Sequence, residues 1–264
     1  MFGISRQAFY KRQQNSSKRN DQEQRILDCV AYQRAQMPRL GTRKLYWLLE
    51  RKFKSEGLKV GRDKLFEILR KNKMLIIKKR KYVQTTNSKH WLKKYPNLTV
   101  GIKVSRPEQI WVSDITYIPM EKGFCYLSLI TDAYSRRIMG YAISNSLSTA
   151  GSLRALEMAL RSKKYSGSLL HHSDRGLQYC SNEYTGLLRK NKIGISMTER
   201  SDPYENALAE RMNRTIKEEF LLTERFKDIS LAEKTVKETV KIYNSKRPHM
   251  SCSMLTPDQV HFTL

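Results

Sequence analysis

The sequence predicts an α/β fold, a mixed five-stranded sheet flanked by helices, preceded by a small all-α domain. Three observations lead there. Through residues 22–77, apolar side chains recur at three-to-four spacing, which marks amphipathic helices. From residue 107, short β-rich runs are separated first by turns and then by helical stretches, the order that gives a mixed sheet with helices on its faces. Charge is divided unevenly as well: residues 1–105 hold 27 Lys and Arg against 7 Asp and Glu, and residues 106–264 hold 23 against 18.

A chain of 264 residues with 39% hydrophobic content has room for one ordinary core and a smaller module, since domains commonly run about 100 to 200 residues. The front half is a polycation and calls for a polyanion. Nucleic acid is the commonest; an anionic membrane would require an amphipathic anchor or an apolar span of about 18 residues or more, and the sequence offers neither. Cys29, Cys125, Cys180 and Cys252 are scattered without a CxxC pair, so neither a disulfide framework nor a zinc ribbon is expected. With no signal peptide, the expected location is the reducing cytoplasm.

In chain order, "GISRQAFYKR" resembles the second helix of a helix-turn-helix whose first helix would lie ahead of residue 1, so residues 1–21 read as a remnant of such a motif. Residues 22–77 read as a helical DNA-binding domain. Ile26, Val30, Leu45, Leu48 and Leu49, then Leu65, Ile68 and Leu69, supply its apolar stripes, and "MPRLGTRK" and "SEGLKVGRDK" supply the corners a helix-turn-helix-like bundle requires. Arg43, Lys44, Arg62 and Lys64 are its expected DNA contacts. Residues 78–106 read as a basic linker, rich in Lys and Arg with Tyr82, Trp91 and Tyr95 interleaved, and Lys78, Lys79 and Arg80 are expected on the DNA backbone.

The catalytic core is expected over 107–264. "QIWVSDITYIPM", "GFCYLSLITDAYS" and "RRIMGYAIS" predict three adjacent antiparallel strands. "STAGSLRALEMALRSK" then predicts a helix, "GSLLHHSD" a short buried strand, "SNEYTGLLRKNK" a helix and "IGISMTE" a strand. "ENALAERMNRTIKEEF" predicts one further helix.

Two acids fall on or just beyond strands in this plan, Asp114 in the first and Asp174 after the fourth; Glu210, on the last helix, has 35 residues between it and Asp174. A central strand, a parallel neighbour and a helix packed across them can bring the three together. Carboxylates sharing a cleft repel unless divalent cations neutralise them. Hard oxygen ligands favour Mg²⁺ or Mn²⁺, and two such ions about 3.5–4 Å apart can activate an attacking oxygen and stabilise a leaving one at a phosphodiester. At 100° per residue, Glu210, Arg214 and Lys217 share one face of their helix, and Leu208, Met212, Thr215 and Ile216 occupy the other.

"WVSDITYIP", "HHSDRGLQY", "ENALAERMNRTIKEE" and "YNSKRPHMSCSMLTPDQV" resemble the integrase-type core of insertion-sequence transposases of the IS-three family, encoded by a second reading frame (OrfB type). The resemblance covers about 107–262 closely, and the helical module at 22–77 is also similar. It implies a ribonuclease-H-like fold, a DDE triad of Asp114, Asp174 and Glu210 binding two Mg²⁺ or Mn²⁺ ions per site, and a DNA contact from Lys217. The implied function is a DNA transposase that cleaves phosphodiesters at element ends and joins the freed 3′-OH to another strand. The implied partners are double-stranded DNA, as terminal inverted repeats and target, further copies of the chain in at least a dimer, and an upstream helix-turn-helix protein or fusion. The cell implied is bacterial, with the protein at its nucleoid. Two rival functions stand beside it: a transposase-derived DNA-binding protein without activity, and a ribonuclease-H-like nuclease that only hydrolyses.

Other residues compete for these roles. Asp132 ends a β-rich run and reads as turn-forming. Glu205 and Asp202 read as acids complementing a helix start. His171 and His172 read as hydrogen-bonded core histidines, with only His172 on the strand face of Asp174. Arg175 and Gln178 belong to the family-like motif, and Arg175 is counted as a DNA contact. Where many of these transposases carry Asp-Asn before the glutamate, this chain has Glu205-Asn206. Arg247 and His249 in the tail motif are placed near the core or its DNA. The His-His-Cys-Cys module of retroviral integrases has no counterpart, so no zinc is predicted.

Overall fold

In the computed structural model of the protein, residues 6–77, 91–199 and 205–263 are described. The chain forms two compact units, Met1–Lys79 and Arg80–Leu264.

The first unit contains helices α1 (Arg6–Gln36), α2 (Thr42–Ser55) and α3 (Arg62–Lys71). The sequence separates a remnant at 1–21 from a module at 22–77, whereas one helix runs through that point, because no Gly or Pro interrupts Arg6–Gln36. Its first half buries nothing. Ile26, Cys29 and Val30 from its second half meet Leu45, Leu49 and Phe53 of α2 and Leu65 and Leu69 of α3 in a shared core. Gly57 ends α2 at φ +68, a left-handed turn that lets Leu58 N–H return to Phe53 O over 2.8 Å. Both predicted corners are breaks between helices.

The second unit is built on a five-stranded sheet in the order β3-β2-β1-β4-β5. Strands β1 (Ile110–Pro119), β2 (Phe124–Asp132) and β3 (Ile138–Ser144) are antiparallel neighbours; β4 (Leu170–Ser173) runs parallel to β1, and β5 (Gly194–Met197) parallel to β4. The mixed sheet read from the sequence is therefore present. One face carries α4 (Thr149–Ser162), α5 (Leu177–Cys180) and α6 (Asn182–Lys190), packed through Leu156, Tyr179, Tyr184 and Leu188 onto Trp111, Ile130 and Ile195. Helix α7 (Ala207–Glu219) covers the other, with Leu208 and Ala209 on Ile110 and Val112. Gly140 lets β3 approach α4 closely, since a Cβ there would fall 2.0 Å from Ala155 O.

Helix α8 (Ile229–Lys246) lies beside β3, and its Asn244 accepts from Ile138 N–H and donates to Ile138 O, at 2.9 and 3.0 Å, pairing with the strand's edge as a neighbouring strand would. The short α9 (Pro257–Phe262) sends His261 into the interior against Ser135 and Glu108. Part of the segment read as linker belongs to this unit: Leu92 and Tyr95 pack on the core, Leu98 N–H bonds Ser196 Oγ and Met197 N–H bonds Pro96 O. Among the described residues no helix is long and apolar enough to cross a membrane.

Candidate active site

The pairing of β1 with β4 runs from Ile110↔Leu170 to Ser113↔Ser173 and stops. Asp114, still on β1, and Asp174, one residue past β4, come next, so register sets them side by side where the pairing ends. Asp114 Oδ1 accepts the N–H of Ile115 at 2.8 Å, and Oδ2 accepts Nδ2 of Asn213 on α7 at 2.9 Å. Asp174 Oδ1 accepts the N–H of Gly176 at 3.0 Å. Both acids line a cavity of about 220 Å³ bounded by Thr116, Tyr117, Tyr126, Leu147 and Leu177.

Glu210 stands in the first turn of α7, exposed and outside the wall of that cavity. Its charge nonetheless couples to the pair. Burial, then Asp174, then more weakly Glu210 raise the Asp114 carboxyl to about 7, against the bonds from Asn213 and Ile115. Glu210 is itself raised, by burial first and also by Asp174, while Arg214 pulls it down. The charge relieved by a divalent cation is thus present at Asp114 and Asp174, whose oxygens are the hard donors such an ion takes. Among the described residues no three His, Cys, Asp or Glu side chains gather as a metal-ligand set, so the fit rests on the aspartate pair.

Lys217 lies two turns along α7 from Glu210, and its Nζ donates to Thr116 Oγ1 at 3.1 Å. Burial lowers its pKa, and the nearby Asp114 opposes that. Arg175 donates to Glu199 O at 3.0 Å. In the first unit Arg43 is exposed and Lys44 half-buried, while Arg62 and Lys64 pair with Asp63 and Glu67, each at 2.9 Å. Lys78, Lys79, Arg80, Tyr82 and Asp202 lie outside the described residues.

The competing residues have structural work. Asp132 is buried and accepts from Ser135 N–H, Ser135 Oγ and Glu108 N–H, closing the β2–β3 turn. His171 bonds Tyr184 Oη, and burial drops its pKa to about 3. His172 bonds Ser196 Oγ and Glu205 O. Glu205 makes no helix cap; it accepts from Glu199 N–H and Asn97 Nδ2, tying the approach to α7 to the end of β5. Arg247 is buried in a two-pronged pair with Glu219 and meets His249 Nε2.

Sequence reasoning gave no role to two asparagines, Asn206, noted only beside Glu205, and Asn213. Asn213 grips Asp114, and Asn206 Nδ2 donates to Ser113 O at 3.2 Å; the Oδ1 of each is buried without a hydrogen-bond partner. The available signal was position: Asn213 falls three residues after Glu210, one turn along its helix.

Two integrase core domain models match the chain, over residues 104–203 and 191–257. A 31 kDa protein of insertion element IS600 from Shigella sonnei is 33% identical over 262 residues, 97% of this chain and 94% of its own. The transposase of insertion sequence IS629 from the same organism is 32% identical, covering 78% of this chain and 68% of its own, and the InsF transposase of IS3A from Escherichia coli K12 is 33% identical over 59% and 54%. Among solved structures, a simian T-cell lymphotropic virus intasome bound to the B56γ regulatory subunit of PP2A shares the fold, with a TM-score of 0.52 at 15% identity over 88% of this chain and 74% of that one. The fold and these relatives define a DDE polynucleotidyl transferase with an integrase-type core. The chain belongs to the IS-three family of insertion-sequence transposases.

Proposed function

We propose that Asp114, Asp174 and Glu210 form the catalytic triad of this transposase, holding two Mg²⁺ or Mn²⁺ ions at the ends of its insertion element. Bound there, the ions supply Lewis acidity to a phosphodiester and lower the cost of deprotonating the attacking oxygen. The chain's own contribution is placement. Asn213 and the Ile115 N–H fix both oxygens of Asp114. The Gly176 N–H turns Asp174 toward the same cavity. Lys217, seated on Thr116, and Arg214, beside Glu210, put positive charge on the helix face that carries the third acid, where the phosphate backbone would run.

The function follows as cleavage at an element end to free a 3′-OH, then attack of that hydroxyl on a target strand, in an assembly of at least two copies holding two ends. The basic residues of the first unit bind the end DNA on this reading. The observation that carries the triad is the placement of Asp114 and Asp174 together on one cavity, with Asn213 of the helix that bears Glu210 hydrogen-bonded to Asp114. The test is a strand-transfer assay with Mg²⁺, Mn²⁺ or chelator on purified protein. Joined products that require metal and vanish in Asp174→Ala and Glu210→Gln support it. Activity retained in either variant refutes the triad, and cut but never joined products would mean hydrolysis alone.

A further inference from the structure

We propose that the cavity beside Asp114 and Asp174 is a nucleobase pocket, which takes one base swung out of the duplex from a nucleotide flanking the phosphodiester held at the two acids. This rests on the catalytic reading of those acids.

The cavity is two-sided in character. At one end are the carboxylates; the remaining wall is apolar and aromatic, built by Tyr117 and Tyr126, whose ring centroids are 5.2 Å apart, and by Leu147 and Leu177. Among the described residues no lysine or arginine lines it, so it holds nothing that would keep a phosphate in the apolar part. A phosphodiester at the acids is, however, covalently tethered to two nucleosides, and the one on the cavity's side must present its sugar and base to that wall. A base still paired would bring the opposite strand with it. An unpaired base is flat, largely apolar on its faces and polar at its edge, which matches aromatic and leucine walls with Thr116 and Gln178 among them.

The pocket is preformed. Gln178, nearly buried, donates Nε2 to Leu147 O at 2.6 Å, which ties the loop after β3 to the start of α5 and holds the two leucines as a fixed pair of lips. Leu147 and Leu177 are 39% and 41% exposed, although each borders the site. Exposed leucines at such a mouth bury their surface only when an apolar group enters.

The experiment uses the full chain and duplexes of the element's own end, with equilibrium binding measured in chelator so that no chemistry occurs. A single mismatch is moved through the nucleotides on both sides of the cleavage point. Because a mismatch removes the cost of unpairing, one position should raise wild-type affinity roughly five- to ten-fold. An abasic residue at that same position should cancel the gain. The Leu147→Ser/Leu177→Ser variant should lose the gain, so that its affinities for the mismatched and the fully paired duplex come out equal. A wild type indifferent to mismatches at every position, or a double variant that keeps the whole gain, overturns the pocket. Loss of the triad reading would show instead as metal-dependent cleavage surviving Asp174→Ala, a result that leaves these chelator measurements untouched.

Discussion

Asn213 on α7 donates its amide to Asp114 on β1 across 2.9 Å, so the helix that carries Glu210 also fixes the orientation of the acid on the central strand. The contact makes one unit of elements almost 100 residues apart in sequence. It also explains why an asparagine, a poor helix former, stands in the buried stripe of an amphipathic helix.

The first prediction concerns that bond. Asn213→Leu keeps the branched heavy-atom skeleton and removes the donor, leaving Asp114 Oδ2 without that bond. Groups that orient metal-binding carboxylates commonly account for about 10- to 100-fold in metal affinity or activity. The Mn²⁺ concentration for half-maximal strand cleavage should therefore rise by about that factor. Heat released on Mn²⁺ binding without DNA should weaken in parallel, and an unchanged calorimetric titration would count against the role.

The second prediction concerns pH. Burial and the neighbouring acids hold the folded-state carboxyl of Asp114 at about 7, against 3.8 for the unfolded chain. A carboxyl raised on folding favours the folded protein fully below the unfolded value, and the benefit is lost as pH climbs to the folded one. Metal-free protein should accordingly lose stability between about pH 4 and 7 through this group. Asp114→Asn should match the wild type near pH 4 and melt progressively higher than it toward pH 7 in chelator. Added Mn²⁺ should close the gap for the wild type alone. Parallel melting curves for the two proteins across that range would dismiss the effect.

The third prediction tests the packing that holds β3 under α4. A Cβ at Gly140 would meet Ala155 O at 2.0 Å and Ala159 N at 2.7 Å, both backbone atoms of a helix that cannot yield locally. Gly140→Ala should cost about 1–3 kcal/mol, the usual range for overpacking, and Gly140→Val more. Chemical denaturation gives the number directly; a midpoint within error of the wild type would show that α4 can slide.

Much of this was legible in the sequence, for identifiable reasons. Strand periodicity and turn signals located all five strands, and the helical step from Glu210 to Arg214 and Lys217 put them on one face of α7. The depth of the site was not legible. Asp114 and Asp174 meet because the β1–β4 pairing ends at Ser113↔Ser173, and register between strands about 60 residues apart leaves no local trace. Asn206 and Asn213 were given no role, since their partners are contributed by another element. Residues 91–106 read as a linker because Leu92, Tyr95 and Leu98 have no period, yet an irregular segment can pack by single side chains and borrow hydrogen bonds from β5. Arg247 and His249 were placed near the core or its DNA by resemblance, and the structure gives them a task inside the core.

That task is the last prediction. Arg247 Nε and Nη2 reach the two oxygens of Glu219 at 2.7 Å each, clamping the C-terminal tail to the end of the helix that carries Glu210 in its first turn. The arginine side chain is 5% exposed and the glutamate 20%. Breaking a fully buried pair from one side costs about 3–5 kcal/mol. Water reaches Glu219, so about 2–3 kcal/mol is the appropriate expectation for Arg247→Ala. Arg247→Lys should recover little, because a single ammonium cannot satisfy two oxygens and His249 in the fork geometry a guanidinium provides. If the tail steadies α7, both variants should also speed amide exchange in the last turn of that helix while leaving β1 and β2 protected. Exchange that rises evenly over the whole sheet would mean general destabilisation and no specific clamp.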